Sequence, residues 1–213
     1  MLMETVVLKG HDCRENTSRI ASALVDGKVL VLPAATVYGI SARYDDPAAL
    51  KKIYMIKKRR EDMAFIILIS KIGQLHMLAS QISSQGKKLV KKYWECDPPL
   101  PLTLVFKKSG MIGAGTTGGR DTVAVRMAGL KAVRDIIDIA GPIVSTSANI
   151  SGQDIRPVSV GDIPLSIRQQ ADLTVTLEGG LKGKESTIID VSSSEPALIR
   201  EGALSFESIL RDL

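Results

Sequence analysis

Short apolar blocks rich in Val and Ile mark strands along this chain: TVVLK at 5–9, KVLVL at 28–32, FIILIS at 65–70, LTLVFK at 102–107, DTVAVRM at 121–127 and PIVS at 142–145. DLTVTL at 172–177, STIIDVS at 186–192 and ALIR at 197–200 continue the series, and Pro33 stops the second block. Between these blocks the apolar spacing shifts to that of helices. In NTSRIASALVDG, Ile20, Leu24 and Val25 share one helical face, with a cap at Asn16 or Thr17 and Gly27 past the end. DPAALKKIYMIKK starts on Asp46 as N-cap with Pro47 at the first helical position, and Ala49, Ile53 and Ile56 form its stripe. SSQGKKLVKKYWE holds a basic helix, and LKAVRDIIDIA an amphipathic one that ends before Gly141. Two more helices are expected near DIPLSIRQQ and in FESILRDL.

Strands and helices mix throughout with no repeat, which predicts one α/β domain over residues 1–213. Some neighbouring strands lack a helix between them, so the twisted sheet is expected to mix parallel and antiparallel pairs, flanked by helices. Composition adds little: 45% hydrophobic residues suit a real core, and only 4% are aromatic, so aliphatic side chains do most of the packing. The formal charge of +5 favours polyanionic partners without demanding one. Two cysteines, Cys13 and Cys96, make no disulfide framework and suit a reducing cytosol. The first residues lack a basic start with an apolar block, and the apolar run AFIILI is too short to span a bilayer. A soluble, cytoplasmic protein without a membrane partner is the expectation. His11 and His76 lie far apart and no CxxC or HExxH occurs, which weighs against zinc chemistry.

Two glycine-rich stretches imitate nucleotide motifs. GAGTTGG at 113–119 contains GxGxxG but runs into a strand, so it reads as a flexible connection. GGLKGKES at 179–186 is one residue short of a phosphate loop, with Glu185 where the hydroxyl belongs. The cations of MIKKRREDM at 55–63 suit the end of a helix, and on a continuing helix Lys57 and Arg59 would diverge. For both to reach one anion, the chain must leave the helix near Lys57. GKKLVKKYWE offers lysines beside Tyr93 and Trp94, a nucleic-acid face by type, although a solvated face explains the same pattern. Arg126 and Arg200 sit in strands otherwise made for the interior, where an arginine needs a partner. After the apolar PIV at 142–144 come Ser145, Thr146, Ser147, Asn149, Ser151 and Gln153, either a turn or a polar ligand site.

Together these residues resemble the YrdC-type L-threonylcarbamoyladenylate synthases, from about residue 14 to 203. TVYG at 36–39, the K-x-R of Lys57 and Arg59, VAVR at 123–126, STSANISG at 145–152, STIID at 186–190 and the Arg of LIREG fall in the family's order. The resemblance implies a YrdC-like fold with a concave basic cavity. It also implies a nucleotidyltransferase that converts L-threonine, bicarbonate and ATP to threonylcarbamoyl-AMP and pyrophosphate. A partner transferase would then carry the threonylcarbamoyl group to tRNA, giving N6-threonylcarbamoyladenosine. By this correspondence Lys57, Arg59, Ser147 and Asn149 would form the catalytic set and hold the triphosphate, with Thr122 and Arg200 helping to place ATP. Thr36, Arg126, Ser147 and Ser186 would hold threonine. Magnesium would accompany ATP without a metal cage of protein ligands. Ending soon after Arg200, the chain looks like the short form.

Departures from the family pattern are Ala34 and Ala35 before TVYG, Arg60 after K-x-R, Met63, Leu68, and Pro98 to Pro101 before LTL. They thin the threonine side more than the nucleotide side, so the expectation is an intact nucleotide site with altered or reduced use of threonine. Two other classes fit the same residues: a non-catalytic RNA-binding or ribosome-associated module, and a related carbamoyl-adenylate enzyme with another acceptor.

Overall fold

In the computed structural model, which describes residues 4–8, 14–153, 155–178, 181 and 183–213, the apolar blocks pair into one 11-stranded sheet. The chain runs β1 (Thr5–Leu8), α1 (Arg14–Val25), β2 (Leu30–Pro33), β3 (Tyr38–Arg43), α2 (Pro47–Lys57), β4 (Ile66–Ile69), α3 (Ile72–Leu78) and β5 (Ala79–Gln81). It continues through α4 (Ser84–Tyr93), β6 (Leu102–Lys108), α5 (Ala114–Thr117), β7 (Thr122–Met127), α6 (Lys131–Ala140) and β8 (Ile143–Ser147). A 3-10 turn (Val160–Asp162), α7 (Leu165–Gln170), β9 (Leu173–Leu177), β10 (Thr187–Asp190), β11 (Ala197–Arg200) and α8 (Phe206–Leu210) complete it. Lys9, His11, Cys13, Gly179 and Lys182, named in the sequence reading, lie outside the described residues.

The strand order is β1-β9-β2-β3-β8-β4-β7-β6-β10-β11, with β5 beside β6. β1 and β2 pair with β9, β4 with β7 and β6 with β10 in parallel, while the remaining pairs are antiparallel. This is the mixed α/β sheet that the strand spacing predicts.

Alternation along the strands separates two faces. Val31, Ile40, Ile67, Leu104, Val125 and Ile189 point to one side, where Ile53 and Ile56 of α2 and Leu89 of α4 bury them. On the other side Leu30, Leu32 and Ile143 pack under Ile20 and Leu24 of α1 and Val133, Ile136 and Ile137 of α6. Those two helices cover only part of that face. Beyond them the register lines up Leu68, Arg126, Thr103, Ile188 and Arg200 in a row across five strands. Beside it runs a second row of Ser145, Ile66, Ala124, Val105 and Asp190.

Local signals explain several element ends. The Asp46 Oδ1 accepts from the Ala48 and Ala49 amides at 3.0 Å each, with Pro47 behind it. At the other end of α2, Lys58 adopts φ 51° and breaks the helix immediately after Lys57. Four readings need correction. Asn16 and Thr17 both lie inside α1, so neither caps it, and Asn16 donates to the Val7 carbonyl. Val25 is exposed. The polar run after residue 144 does not begin at a strand exit, because β8 continues to Ser147. The 113–119 stretch is no flexible connection: it folds into α5, where Thr116 Oγ1 donates to the Tyr44 carbonyl and the Phe65 amide to the Thr116 carbonyl. α3 and β5 carry no sequence expectation, and β3 has only the TVYG motif, whose Tyr38 and Gly39 open the strand and do not lie in a loop.

Candidate functional site

The uncovered part of the sheet face floors a cavity of about 590 Å³. Thr36, Arg59, Thr122, Arg126, Ser147, Ser186 and Arg200 all line it, so seven positions spread over 165 residues of sequence meet at one place. Alternation accounts for much of this, since Thr122, Arg126, Ser147 and Arg200 occupy same-face strand positions.

Lys57 and Asn149 stand directly behind the wall and do not line the cavity. The Lys57 side chain is almost fully buried, and its ammonium donates to the carbonyls of Ser147 and Asn149 (2.6 Å for the latter) and to Asn149 Oδ1 at 3.3 Å. Ser147 Oγ donates to the same Oδ1 at 2.6 Å, and Asn149 Nδ2 donates to the Gln153 carbonyl at 2.7 Å. The Ser151 amide closes onto the Lys57 carbonyl at 3.0 Å. A lysine at the end of α2 thus clasps the loop that presents Ser147. Burial pulls this ammonium down to about 7, the Arg59 charge adds to the fall, and the Glu185 charge opposes it.

Because α2 stops at Lys57, Arg59 leaves in another direction and enters the cavity. Its Nη2 donates to the Ala64 carbonyl at 2.8 Å, Nη1 reaches Thr146 Oγ1 at 3.4 Å, and the guanidinium lies 5.4 Å from the Phe65 ring centre. Arg126 is deeper still. Its Nη1 donates to Thr36 Oγ1 at 3.3 Å, and its burial, followed by the nearby Arg200 charge, depresses it to about 10. Burial also lowers Arg59. Arg200 donates from Nη2 to the Ser186 carbonyl at 3.0 Å and pairs through Nη1 with Glu185 at 2.6 Å. The Nε–H groups of Arg59, Arg126 and Arg200 are buried without a partner. Three guanidiniums with spare donors in one cavity make a receptor for anions.

The hydroxyls are held from behind. Ser186 Oγ shares a 2.8 Å hydrogen bond with Thr103 Oγ1, opposite Arg126 on the neighbouring strand. Ser41 Oγ donates to Ser145 Oγ at 3.1 Å, and a Cβ on Gly39 would sit 2.3 Å from that Ser145 oxygen. The missing side chain at Gly39 keeps this wall open. Ser145, Arg120, Glu185 and Asp190 also line the cavity. Of these the sequence marks Ser145 as part of the polar run and Glu185 only as a misfit in a phosphate-loop pattern; Arg120, in the segment between α5 and β7, and Asp190, on β10, carry no local signal.

Three departures face the cavity: Ala34, Met63 and Leu68. Ala35 has φ 67° and backs onto Gly129, whose added Cβ would lie 3.0 Å from the Ala35 Cβ. Arg60 is exposed and pairs with Asp62. Pro98 follows a cis peptide bond. On α4 the lysines are exposed, but Tyr93 and Trp94 are buried, and Trp94 Nε1 donates to the Leu102 carbonyl at 2.9 Å. No aromatic stacking platform forms there. Among the described residues, no group of three or more His, Cys, Asp or Glu could hold a metal ion.

Comparison with known proteins follows the same lines. The Sua5/yciO/yrdC family model, described as "Telomere recombination", matches residues 22–202. A threonylcarbamoyl-AMP synthase of Pyrococcus abyssi is 37% identical over 195 residues, covering 90% of this chain and 55% of that protein. A putative threonylcarbamoyl-AMP synthase of Methanocaldococcus jannaschii is 27% identical over 216 residues, covering 99% of this chain and all of the relative (100%). The crystal structure of P. abyssi Sua5 complexed with L-threonine superposes with a TM-score of 0.88 at 33% identity, over 100% of this chain and 61% of that one. The chain therefore spans about half the length of the P. abyssi relative and of a Bacillus subtilis relative, at 55% of each.

Proposed function

Because the chain belongs to the Sua5/yciO/yrdC family, we propose that it makes threonylcarbamoyl-AMP and pyrophosphate from L-threonine, bicarbonate and ATP. One observation carries this reading. Arg126 is a buried guanidinium with a spare Nε–H, held by a hydroxyl and not by a carboxylate, in the same cavity as Arg59, Ser147 and Arg200. A receptor for a small carboxylate beside a receptor for phosphates is what the reaction requires. The relatives' names and the L-threonine complex of P. abyssi Sua5 support it.

In this reaction the free amine of threonine takes the carbon of bicarbonate, releasing water and leaving a carbamate. A carbamate oxygen attacks the α-phosphorus of ATP, and the bond to pyrophosphate breaks. The substrate supplies the nucleophile, so the protein's work is placement and charge stabilisation. Arg126 grips the threonine carboxylate through its planar fork, with Thr36 and Ser186 beside it. Arg59, Arg200, Thr122 and Ser147 face the nucleotide, and negative charge growing on the phosphates meets their donors. Lys57 and Asn149 serve the triphosphate by fixing the loop that presents Ser147. Magnesium enters with the ATP substrate. On this reading the product passes to a transferase that modifies tRNA, and the working compartment is the cytoplasm. No helix among the described residues is long and apolar enough to cross a membrane.

Pyrophosphate release tests the proposal, measured with ATP, bicarbonate and a panel of amino acids extended to carbamoyl phosphate. Release is expected to require all three substrates and to fall at least about a hundredfold in Ser147→Ala, the range for losing one donor that turns from Asn149 Oδ1 to the phosphate when ATP binds. Release with ATP and carbamoyl phosphate, without bicarbonate or an amino acid, would move the reading to a different acceptor. Steeply salt-dependent RNA binding without any release would replace it with an RNA-binding module.

A further inference from the structure

An anion receptor leaves one feature of the cavity unexplained: it also holds two carboxylates, Glu185 and Asp190. A free amino acid carries both charges, and Arg126 answers only the carboxylate. We propose that Glu185 is the receptor for the α-ammonium of the amino-acid substrate, and that accepting the ammonium releases Arg200 to the nucleotide phosphates. This rests on the reading of the cavity as an amino-acid and ATP site and names the missing half of the amino-acid subsite.

The 183–186 segment is fastened beside Arg126 at both ends. At one end the Gly183 amide donates to the Thr36 carbonyl at 2.8 Å, and Thr36 Oγ1 accepts from Arg126. At the other, Ser186 Oγ is bound to Thr103, the residue paired with Arg126 across β6 and β7. Glu185 lies between these clasps. Arg200 occupies the same cross-strand row as Arg126, and the two guanidiniums repel each other. Asp190 sits in the adjacent row, with Oδ1 taken by the Ser192 amide at 2.8 Å. Of the two acids, Glu185 is therefore the one held against the carboxylate subsite.

Glu185 already has a partner in Arg200 at 2.6 Å, and the pair is only half-buried. An arriving ammonium competes for the same oxygen and neutralises the same charge. Arg200 then keeps its bond to the Ser186 carbonyl and regains a free Nη1, beside an Nε–H that has no acceptor. Those donors are what a phosphate group takes. Partner exchange of this kind makes amino acid and nucleotide favour each other's binding, reciprocally.

Calorimetric titration of wild type and Glu185→Gln with L-threonine, 3-hydroxybutanoate and a non-hydrolysable ATP analogue tests this. The 3-hydroxybutanoate keeps the carboxylate and hydroxyl of threonine but lacks the ammonium. Glu185→Gln should lower threonine affinity at least about tenfold, the effect of losing one charged hydrogen bond at a half-exposed site. It should leave 3-hydroxybutanoate unchanged and bind the ATP analogue no more weakly than wild type. Glu185→Asp, which keeps the charge, should restore part of the threonine preference. Unchanged threonine affinity overturns the proposal, as does an equal loss for all three ligands, which would mark Glu185 as structural. Wild type that binds threonine through Glu185 yet forms no adenylate overturns the functional reading and leaves Glu185 as the receptor. Adenylate formation with threonine binding indifferent to Glu185 does the reverse, and wild type that binds no amino acid overturns both.

Discussion

At the scale of single residues, burial sets the terms. Arg126 donates to a threonine hydroxyl and otherwise waits for an anion. A lysine there keeps the charge and loses the fork, so Arg126→Lys should raise the KM for threonine about tenfold or more, since a charged hydrogen bond is worth about 1.5–3 kcal/mol. Steady-state kinetics with ATP saturating would read this, and an unchanged KM would remove Arg126 from the amino-acid subsite. Lys57 makes a prediction about pH. Its folded ammonium titrates at about 7, whereas an unfolded lysine holds its proton to about 10.4. Between those values the unfolded chain binds more protons, so Lys57 makes the folded state more stable as pH rises, by at most about 1.4 kcal/mol per unit. Compared with Lys57→Met, wild type should gain relative stability from pH 7 to 9 in urea titrations. A constant difference would mean that the three oxygen acceptors hold the proton throughout.

Elements show where sequence reading succeeds and where it stops. The start of α2 was legible because a cap and a first-turn proline act within a few residues. β3 was not: Tyr38, Ile40 and Ala42 alternate with Gly39, Ser41 and Arg43, but a glycine and a single β-branched residue in six leave the strand signal weak. It is a strand because β2 and β8 flank it, and its Gly39 and Ser41 are small for the sake of Ser145. Glu185 was legible only as a misfit in a phosphate-loop pattern, because its setting depends on contacts with Thr36 and Arg200 far off in sequence. The same segment is sensitive to what packs on it. A Cβ on Gly202 would lie 2.4 Å from the Glu185 carbonyl oxygen and 2.5 Å from the Ser186 carbonyl carbon, both backbone atoms. Gly202→Ala should therefore destabilise the fold by about 1–3 kcal/mol and displace the 185–186 backbone, reducing adenylate formation as well. Asp46→Ala, at a cap remote from the cavity, should cost about 1 kcal/mol and leave the rate at low temperature unchanged. Equal rate losses in both variants would show that stability alone governs activity.

On the scale of the whole molecule, the cavity exists because one sheet face outruns the helices that cover it. α1 and α6 seal its apolar end, and the polar and basic positions of β7, β8, β10 and β11 remain open. Mixed pairing makes this possible, since strands entering from both directions bring their ends to the same place. The resemblance pointed to residues that do converge, but it could not show that Lys57 and Asn149 lie behind the wall or that an acid shares the cavity. Mass spectrometry of the products formed from ATP, L-threonine and carbon-13 bicarbonate tests the central claim most directly. The account predicts an acyl adenylate that carries the label in its carbamoyl carbon, together with pyrophosphate. If ATP stays intact, or if any adenylate formed lacks the label, this cavity does not join a carbamate to AMP and the assignment is wrong.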